Sequence, residues 1–340
     1  MYEYDDRMLP LACQLGARAR SRPSVRAPRV IAACIVAAGA AACGTSPAAL
    51  LDGAVSDAAL PGDGPEVIPA NRLTMPQITL APGEETTRCV IVEMANETPQ
   101  MLRRIRSVLS TGSHHLIAYR VAPGTALQPV PQPCFPFGDI TAGASPVIIA
   151  ESVDAEVVYP DNVGLPFAAH QRIKLEEHFF NASDAAIQAT GAVDFTLVDP
   201  TPDIVLADLL FWGPESFGID RHSAGSADFA HVVDPGIHVF GLTTHEHHFG
   251  TLATIEVATS ATGPGTEVYR NTDWEHPPLK SFDPPLSFDG TQSLRLHCTW
   301  FNTSDDPVTF GLSAVTNEMC FFWAYYYPSR GFQSCTDLGC

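Results

Sequence analysis

The sequence predicts an all-β fold made of two antiparallel β-sandwich domains of similar size. Three observations support this prediction: short runs of β-branched and aromatic residues, turn residues between the runs, and a high proline content. With 29 prolines in 340 residues, the chain has little room for long helices. The joint between the two domains is predicted at VDPTPD, residues 198–203.

The predicted strands are short and are bounded by Pro, Gly, Asn or Asp. One run, MLRRIRSVL at 101–109, fits either a strand or a helix. The other predicted strands cover residues 88–94, 114–121, 145–150, 172–180, 192–198, 203–212, 236–242, 251–259, 293–301 and 319–327.

The start of the chain predicts an export signal. Basic residues up to Arg29 precede VIAACIVAAGAAAC, an apolar run that is too short to span a membrane and ends at Cys43. The last four residues resemble a bacterial lipobox, so residues 1–43 are predicted to be a lipoprotein-type signal peptide with lipidation at Cys43. Translation is predicted to start at Met1 or Met8. Plain signal cleavage nearby is the alternative.

Residues 44–71 are rich in Pro, Gly, Ala and Asp without periodicity, and they predict a flexible linker. The two sandwich domains are therefore predicted at 72–201 and 202–340. The protein is expected to be exported, either lipid-anchored to a bacterial membrane, at the periplasmic or cell surface, or secreted. The lipid anchor is the only membrane contact expected.

The mature chain is strongly acidic. Without residues 1–43 it has 13 basic and 35 acidic residues, a formal charge of −22. Such a surface repels phosphate backbones, which argues against a nucleic-acid partner. Six cysteines follow Cys43, and an even number in an exported chain favours three disulfides over metal thiolates.

Histidines are crowded in FGLTTHEHHFG, residues 240–250. On a strand, side chains two residues apart share a face, so His245 and His247 project together and could hold one metal ion. Further histidines stand at 114, 115 and 178, and a methionine stands at 319. A thioether is a poor zinc ligand but a good ligand for Cu(I). Taken singly, each of these is more simply explained by chance, a surface position or core packing.

Five segments resemble a known family in sequence and in order: SHHL, LEEHFFN, IHVFGLTTHEHHFG, HCTWFNTSDD and TNEMCFFWAYYYP. The family is the copper type II, ascorbate-dependent monooxygenases, which includes dopamine β-monooxygenase and peptidylglycine α-hydroxylating monooxygenase. The resemblance covers roughly residues 72–340.

The resemblance implies two jelly-roll-like sandwiches that lie side by side across a solvent-filled cleft, with one copper in each. It implies that His114, His115 and His178 bind the electron-donating copper. It implies that the catalytic residues His245, His247 and Met319 bind the copper that activates O2. Ascorbate or a similar one-electron reductant would supply the electrons, and a small molecule would be hydroxylated.

The resemblance also implies the disulfides Cys89–Cys134 and Cys298–Cys320, and it leaves Cys335–Cys340 as the remaining pair.

The peptide-amidating branch of the family has an Arg two residues before His-x-His that binds the substrate carboxylate, whereas this chain has Thr243. A hydroxyl cannot replace a bidentate Arg, so a neutral or apolar substrate is predicted, lying against Phe321 and Trp323.

Two other functions fit parts of the sequence. A non-enzymatic copper-binding lipoprotein, used for storage or sensing, would keep the same ligands. A zinc hydrolase could use His-x-His and a distant histidine, but it gives Met319 no role.

Overall fold

β-Strands form throughout the part of the chain that the computed structural model describes, residues 71–138 and 145–340. The predicted signal peptide, Cys43 and all of the predicted linker except residue 71 lie outside these residues. Within them, the regular elements are all strands. The all-β prediction is confirmed.

The strands before the predicted joint and just after it are β1 (Arg72–Thr74), β2 (Ile78–Leu80), β3 (Glu85–Glu93), β4 (Gln100–Leu109), β5 (Ser113–Arg120), β6 (Gln128–Pro133), β7 (Ser145–Ala150), β8 (Glu156–Val158), β9 (Val163–Phe167), β10 (Arg172–Phe180), β11 (Ile187–Ala189), β12 (Gly191–Val198) and β13 (Val205–Leu206). The later strands are β14 (Asp208–Trp212), β15 (Gly218–Ile219), β16 (Ala224–Val232), β17 (His238–His245), β18 (Gly250–Ala258), β19 (Gly265–Asn271), β20 (Lys280–Ser287), β21 (Ser293–Phe301), β22 (Val308–Thr309), β23 (Phe321–Tyr327) and β24 (Gln333–Cys335).

Two larger sheets form in the first half of the described chain. One has the order β1-β12-β4-β9-β13, with β8 paired to β4, and the other has the order β6-β3-β10-β5-β7. The run at 101–109, which fitted a strand or a helix, lies in strand β4. Strand β13 follows the predicted joint at 198–203 yet pairs with β9 of the first sheet, and the domain division itself stays a prediction.

The second half also contains two larger sheets, with the orders β20-β17-β23-β14-β24 and β16-β21-β18-β19. Strand β23 is buried on both faces because its side chains alternate between two hydrophobic cores. Phe322, Ala324 and Tyr326 pack into the core of the second half. Phe321, Trp323 and Tyr325 pack against the core of the first half. The sheet that contains β23 therefore joins the two halves.

An equivalent asparagine turn follows a central strand in each half. Asn181 follows β10, and its amide donates to the carbonyls of Leu80, Ala81 and Ala185. Asn302 follows β21, and its amide donates to the carbonyls of Ile219, Asp220 and Asp306. In both turns the side-chain oxygen accepts from the residue two positions later, Ser183 or Ser304. The segments FNASD and FNTSD therefore form the same hydrogen-bonded turn, once in each half.

The structure contains the disulfides Cys89–Cys134, Cys298–Cys320 and Cys335–Cys340. These are the three pairs in the sequence analysis, and disulfides indicate an exported protein. The described residues include no helix of the length and hydropathy needed to cross a membrane.

Candidate metal centre

A β-bulge brings His114 and His115 to one site. Neighbouring residues on a regular strand face opposite sides, so the pair needs an irregular backbone to act together. His115 on β5 pairs with His178 on β10, but the next pair is Ser113 with Phe179. His114 is therefore the extra residue of a bulge, which redirects its side chain. The ring centroids of His115 and His178 are 5.1 Å apart, and those of His114 and His178 are 5.4 Å apart.

His245 and His247 form a second group at the end of β17. Their Nε2 atoms are 3.1 Å apart, and their rings are nearly perpendicular at 88°. The Nδ1 of His247 faces the carbonyl oxygen of Asn317 at 3.2 Å, so it must donate and carry the proton. The Nε2 of His247 is therefore free to accept a proton or a metal ion from the side of His245.

The segment 317–319 holds this second group in place. The buried carboxylate of Glu318 accepts the backbone N–H groups of His247, Phe249 and Met319 at 3.0, 2.6 and 3.2 Å. Burial raises the pKa of Glu318 to about 7, against the opposing effect of these donors. Glu318 was not among the site residues predicted from the sequence, although it lies within the TNEMC segment.

Met319 lies next to the second group. The antiparallel pairing of β17 with β23 runs from Leu242 opposite Ala324 to His245 opposite Phe321. Extended by two residues, this register sets Met319 opposite His247, where both backbone N–H groups donate to Glu318. Met319 is buried, with 2% of its surface exposed.

The two histidine groups are in contact with each other. The ring of His114 lies 5.5 Å from that of His245 and 5.6 Å from that of His247, centroid to centroid. The potential ligand atoms of His114 lie within 4.8 Å of those of both groups. The solvent-filled cleft implied by the resemblance is thus absent between these residues, because the aromatic face of β23 packs directly on the first half and closes the gap.

Two carboxylates of the first half, which the sequence analysis also missed, contact the histidines. Glu85 Oε1 accepts from His178 Nε2 at 3.0 Å and from the backbone N–H of Ala314 at 2.8 Å. Its other oxygen accepts from Ser313 at 2.8 Å, so Glu85 joins both halves. Although burial opposes the charge, these hydrogen bonds lower the pKa of Glu85 to about 2. Glu151 contacts Nδ1 of His245.

His114, His115, His245 and His247 are neutral, as metal binding requires. Burial lowers the pKa of His114, His115 and His247 well below the usual value, and neighbouring imidazoles add to this effect. The pKa of His245 is lowered to about 3 by burial. Burial also raises the pKa of Glu151 well above its usual value.

The donor set fits copper. With bonds of about 2.0 Å, nitrogens 3.1 Å apart subtend an angle of roughly 100° at one ion, within the tetrahedral range. Three ring nitrogens are buried without a hydrogen-bond partner among the described residues: Nε2 of His114 and both nitrogens of His115. Buried nitrogens without a partner are expected where imidazoles bind a metal. The backbone N–H groups of Met319 and His247 both donate to Glu318, and the buried thioether of Met319 is a donor that favours Cu(I) over zinc.

A third cluster, of His231, Cys335 and Cys340, also brings possible ligand atoms together. Its two sulfurs are joined in the Cys335–Cys340 disulfide, so only one imidazole is available. This cluster therefore does not form a metal site in the oxidised protein.

A cavity of about 820 Å³ reaches the histidine cluster from outside. His114 and Glu151 border it together with the apolar side chains of Leu109, Val153, Phe180, Ile187 and Trp274. Phe321 and Trp323, predicted as substrate contacts, do not border this cavity. They are 2% and 0% exposed, and both stack on Phe211 in the core, where their face of β23 meets the first half. Their contact with a substrate stays a prediction.

Residues 225–339 match the sequence profile described as copper type II ascorbate-dependent monooxygenase, C-terminal domain. This match supports the copper type II ascorbate-dependent monooxygenase family for this part of the chain. The matched residues include His245, His247 and Met319, and the family indicates a copper-dependent monooxygenase type of function. The comparison with curated protein sequences gave no match.

Two viral capsid proteins are among the solved structures that are similar to this chain. The major capsid protein P2 from bacteriophage PM2 has 9% identity and a TM-score of 0.33, over 75% of this chain and 100% of that chain. The STIV major capsid protein has 10% identity and a TM-score of 0.31, over 75% of this chain and 96% of that chain. At these TM-scores the likeness carries no conclusion about fold or function.

Proposed function

We propose that this protein hydroxylates a C–H bond of a small, neutral or apolar molecule, using O2 and ascorbate or a similar one-electron reductant. In the overall reaction, the substrate C–H, O2, two electrons and two protons give the alcohol and one water. The observation that carries the proposal is the pair of Nε2 atoms of His245 and His247, 3.1 Å apart, in a site where Glu318 joins the backbone of His247 to that of the buried Met319.

In this proposal, His114, His115 and His178 hold one copper and His245, His247 and Met319 hold the other. Bound copper supplies one-electron transfer at the first set and O2 activation at the second. The protein would supply the rest: burial keeps His114, His115, His245 and His247 neutral, and Glu318 and the carbonyl of Asn317 fix His247.

The substrate is proposed to bind in the cavity that borders His114 and Glu151. Its apolar walls suit a hydrophobic group. Thr243, which stands at the Arg position of the peptide-amidating branch, is buried with its hydroxyl 3.4 Å from that of Tyr269. It therefore offers no clamp for a carboxylate, and turnover of a glycine-extended peptide at rates typical of that branch would contradict the proposed substrate class.

A copper-binding lipoprotein for storage or sensing is the second candidate function. The observation that favours it is the burial of all five histidines, which leaves the metal centre little open surface. In either case, we propose that the protein is exported and carries a lipid anchor on Cys43. Palmitate labelling of the wild type and of Cys43→Ala tests the anchor: labelling of both or of neither contradicts it.

Oxygen-isotope incorporation tests the proposed function. The copper-loaded protein is incubated with ascorbate, 18O2 and a panel of small hydrophobic compounds, and products are identified by mass. The proposal predicts one product that gains a single 18O atom, with O2 uptake matched to product formation. Stable binding of copper without any coupled product favours storage or sensing. One zinc per chain instead of copper contradicts both functions.

A further inference from the structure

Glu151 is a buried carboxylate that reaches from the first half of the chain to a histidine of the second. It directly follows β7, and 3% of its surface is exposed. One carboxylate oxygen contacts Nδ1 of His245, and both side chains are buried at this contact. Neither carboxylate oxygen has another polar partner among the residues that the structure describes. Burying a carboxyl group with a single polar partner lowers the stability of the fold, and this loss suggests that Glu151 has a functional role.

The protons of the neighbouring groups show what this contact does. His247 carries its proton on Nδ1, toward the Asn317 carbonyl, so its Nε2 is bare. At an Nε2–Nε2 distance of 3.1 Å, one proton fits between His245 and His247. A neutral His245 has a single ring proton, so for its Nε2 to bind a metal beside the Nε2 of His247, this proton has to lie on Nδ1. Glu151 is the group that faces Nδ1 and can accept this proton in a hydrogen bond.

We propose that Glu151 is a positioning residue for the second metal site, an inference that rests on the proposed function. As a carboxylate it accepts the Nδ1–H of His245, fixes the tautomer whose Nε2 is free, and holds the ring toward His247. A carboxylate behind a metal-bound imidazole also makes the imidazole a stronger donor. The site that activates O2 is thus completed by a side chain of the first half.

The experiment compares the wild type with Glu151→Gln by measuring Cu(I) affinity in competition with a chromophoric chelator. Glutamine has the same size, but its NH2 group can donate to Nδ1 and so favour the tautomer that has its proton on Nε2. We expect the second copper equivalent to bind roughly 10- to 100-fold more weakly and the first to bind unchanged. Glu151→Asp keeps the charge but is shorter by one methylene, so a smaller loss in the same equivalent is expected.

Asp228→Asn is the matched control. Asp228 makes a carboxylate–imidazole contact of 2.8 Å with His297 on an exposed part of the second half. This variant should bind both copper equivalents like the wild type. The thermal midpoint of each metal-free variant shows whether it folds, and Glu151→Asp decides the question if Glu151→Gln does not fold.

Two results overturn the inference. Equal affinities in the wild type and the Glu151 variants show that the contact does not position His245. An equal loss in both copper equivalents, with a lowered thermal midpoint, shows a general structural role instead. Failure of the wild type to bind copper at all contradicts the proposed function, and this inference with it.

Discussion

Replacing Met319 by isoleucine separates the packing role of this side chain from its role as a ligand. Met319 is 2% exposed, and Ile has a similar volume without sulfur. A volume-conserving swap in a core costs less than about 1.5 kcal/mol. At roughly 2–4 °C per kcal/mol for a domain of this size, the thermal midpoint should fall by no more than about 6 °C.

The loss of a donor atom should have a much larger effect than the loss of packing. Two imidazoles remain at the second set, and we expect hydroxylation to fall by at least roughly 100-fold, the upper end of the effect of losing a supporting group. Copper held by His114, His115 and His178 should stay bound. Copper X-ray absorption of the Cu(I) protein measures the change directly, because copper–sulfur scattering should disappear.

Met94→Ile provides the control. Met94 is also 2% exposed and packs in the core of the first half. It directly follows the last residue of β3, whereas Glu85 is the first residue of that strand. The same chemical change there should lower the thermal midpoint by a similar amount and leave copper and product formation intact. Retention of copper–sulfur scattering in Met319→Ile, with wild-type affinity for two coppers, would refute the assignment of Met319.

Further predictions concern stability. Asn302→Ala removes three donated and two accepted hydrogen bonds of a fully buried side chain and should lower the free energy of unfolding in urea by about 3 kcal/mol. A change near zero would contradict the role of this turn. Removing the Cys298–Cys320 disulfide, whose cysteines are 22 residues apart, should lower the free energy of unfolding by about 3 kcal/mol and weaken copper binding at the site of Met319. Removing the Cys335–Cys340 disulfide should lower the free energy of unfolding by about 2 kcal/mol and leave the copper affinity unchanged. When free copper is present at about 100 times its Kd, removing it with a chelator should lower the free energy of unfolding by about 2.7 kcal/mol, which calorimetry can measure. The protein should stay folded without copper. Complete unfolding would contradict the two apolar cores as the source of its stability.

The sequence predicted strand positions well where the strands are rich in buried apolar residues. The predicted ranges 145–150, 172–180 and 293–301 coincide with β7, β10 and β21. Residues 101–109 were ambiguous because their apolar positions also fit a helical period. Arg104 and Arg106 pair with Glu156 and Asp154 of a neighbouring segment, and such distant partners are not visible in a local pattern.

The histidines were visible in the sequence, but their spatial arrangement was not. The bulge at His114 depends on the register between β5 and β10, which local sequence does not determine. Glu85 and Glu151 carry no local motif, and their contacts exist only because the two halves close on each other. The repeated FNASD and FNTSD segments were a signal in the sequence, but a short one that only the matching hydrogen bonds make meaningful.

The most direct test of the metal centre is an anomalous difference map, recorded at the copper absorption edge from crystals of the copper-loaded protein. The account predicts one peak bound by Nε2 of His245, Nε2 of His247 and the sulfur of Met319, and a second peak at His114, His115 and His178. Copper peaks away from these six side chains, or none, would contradict it.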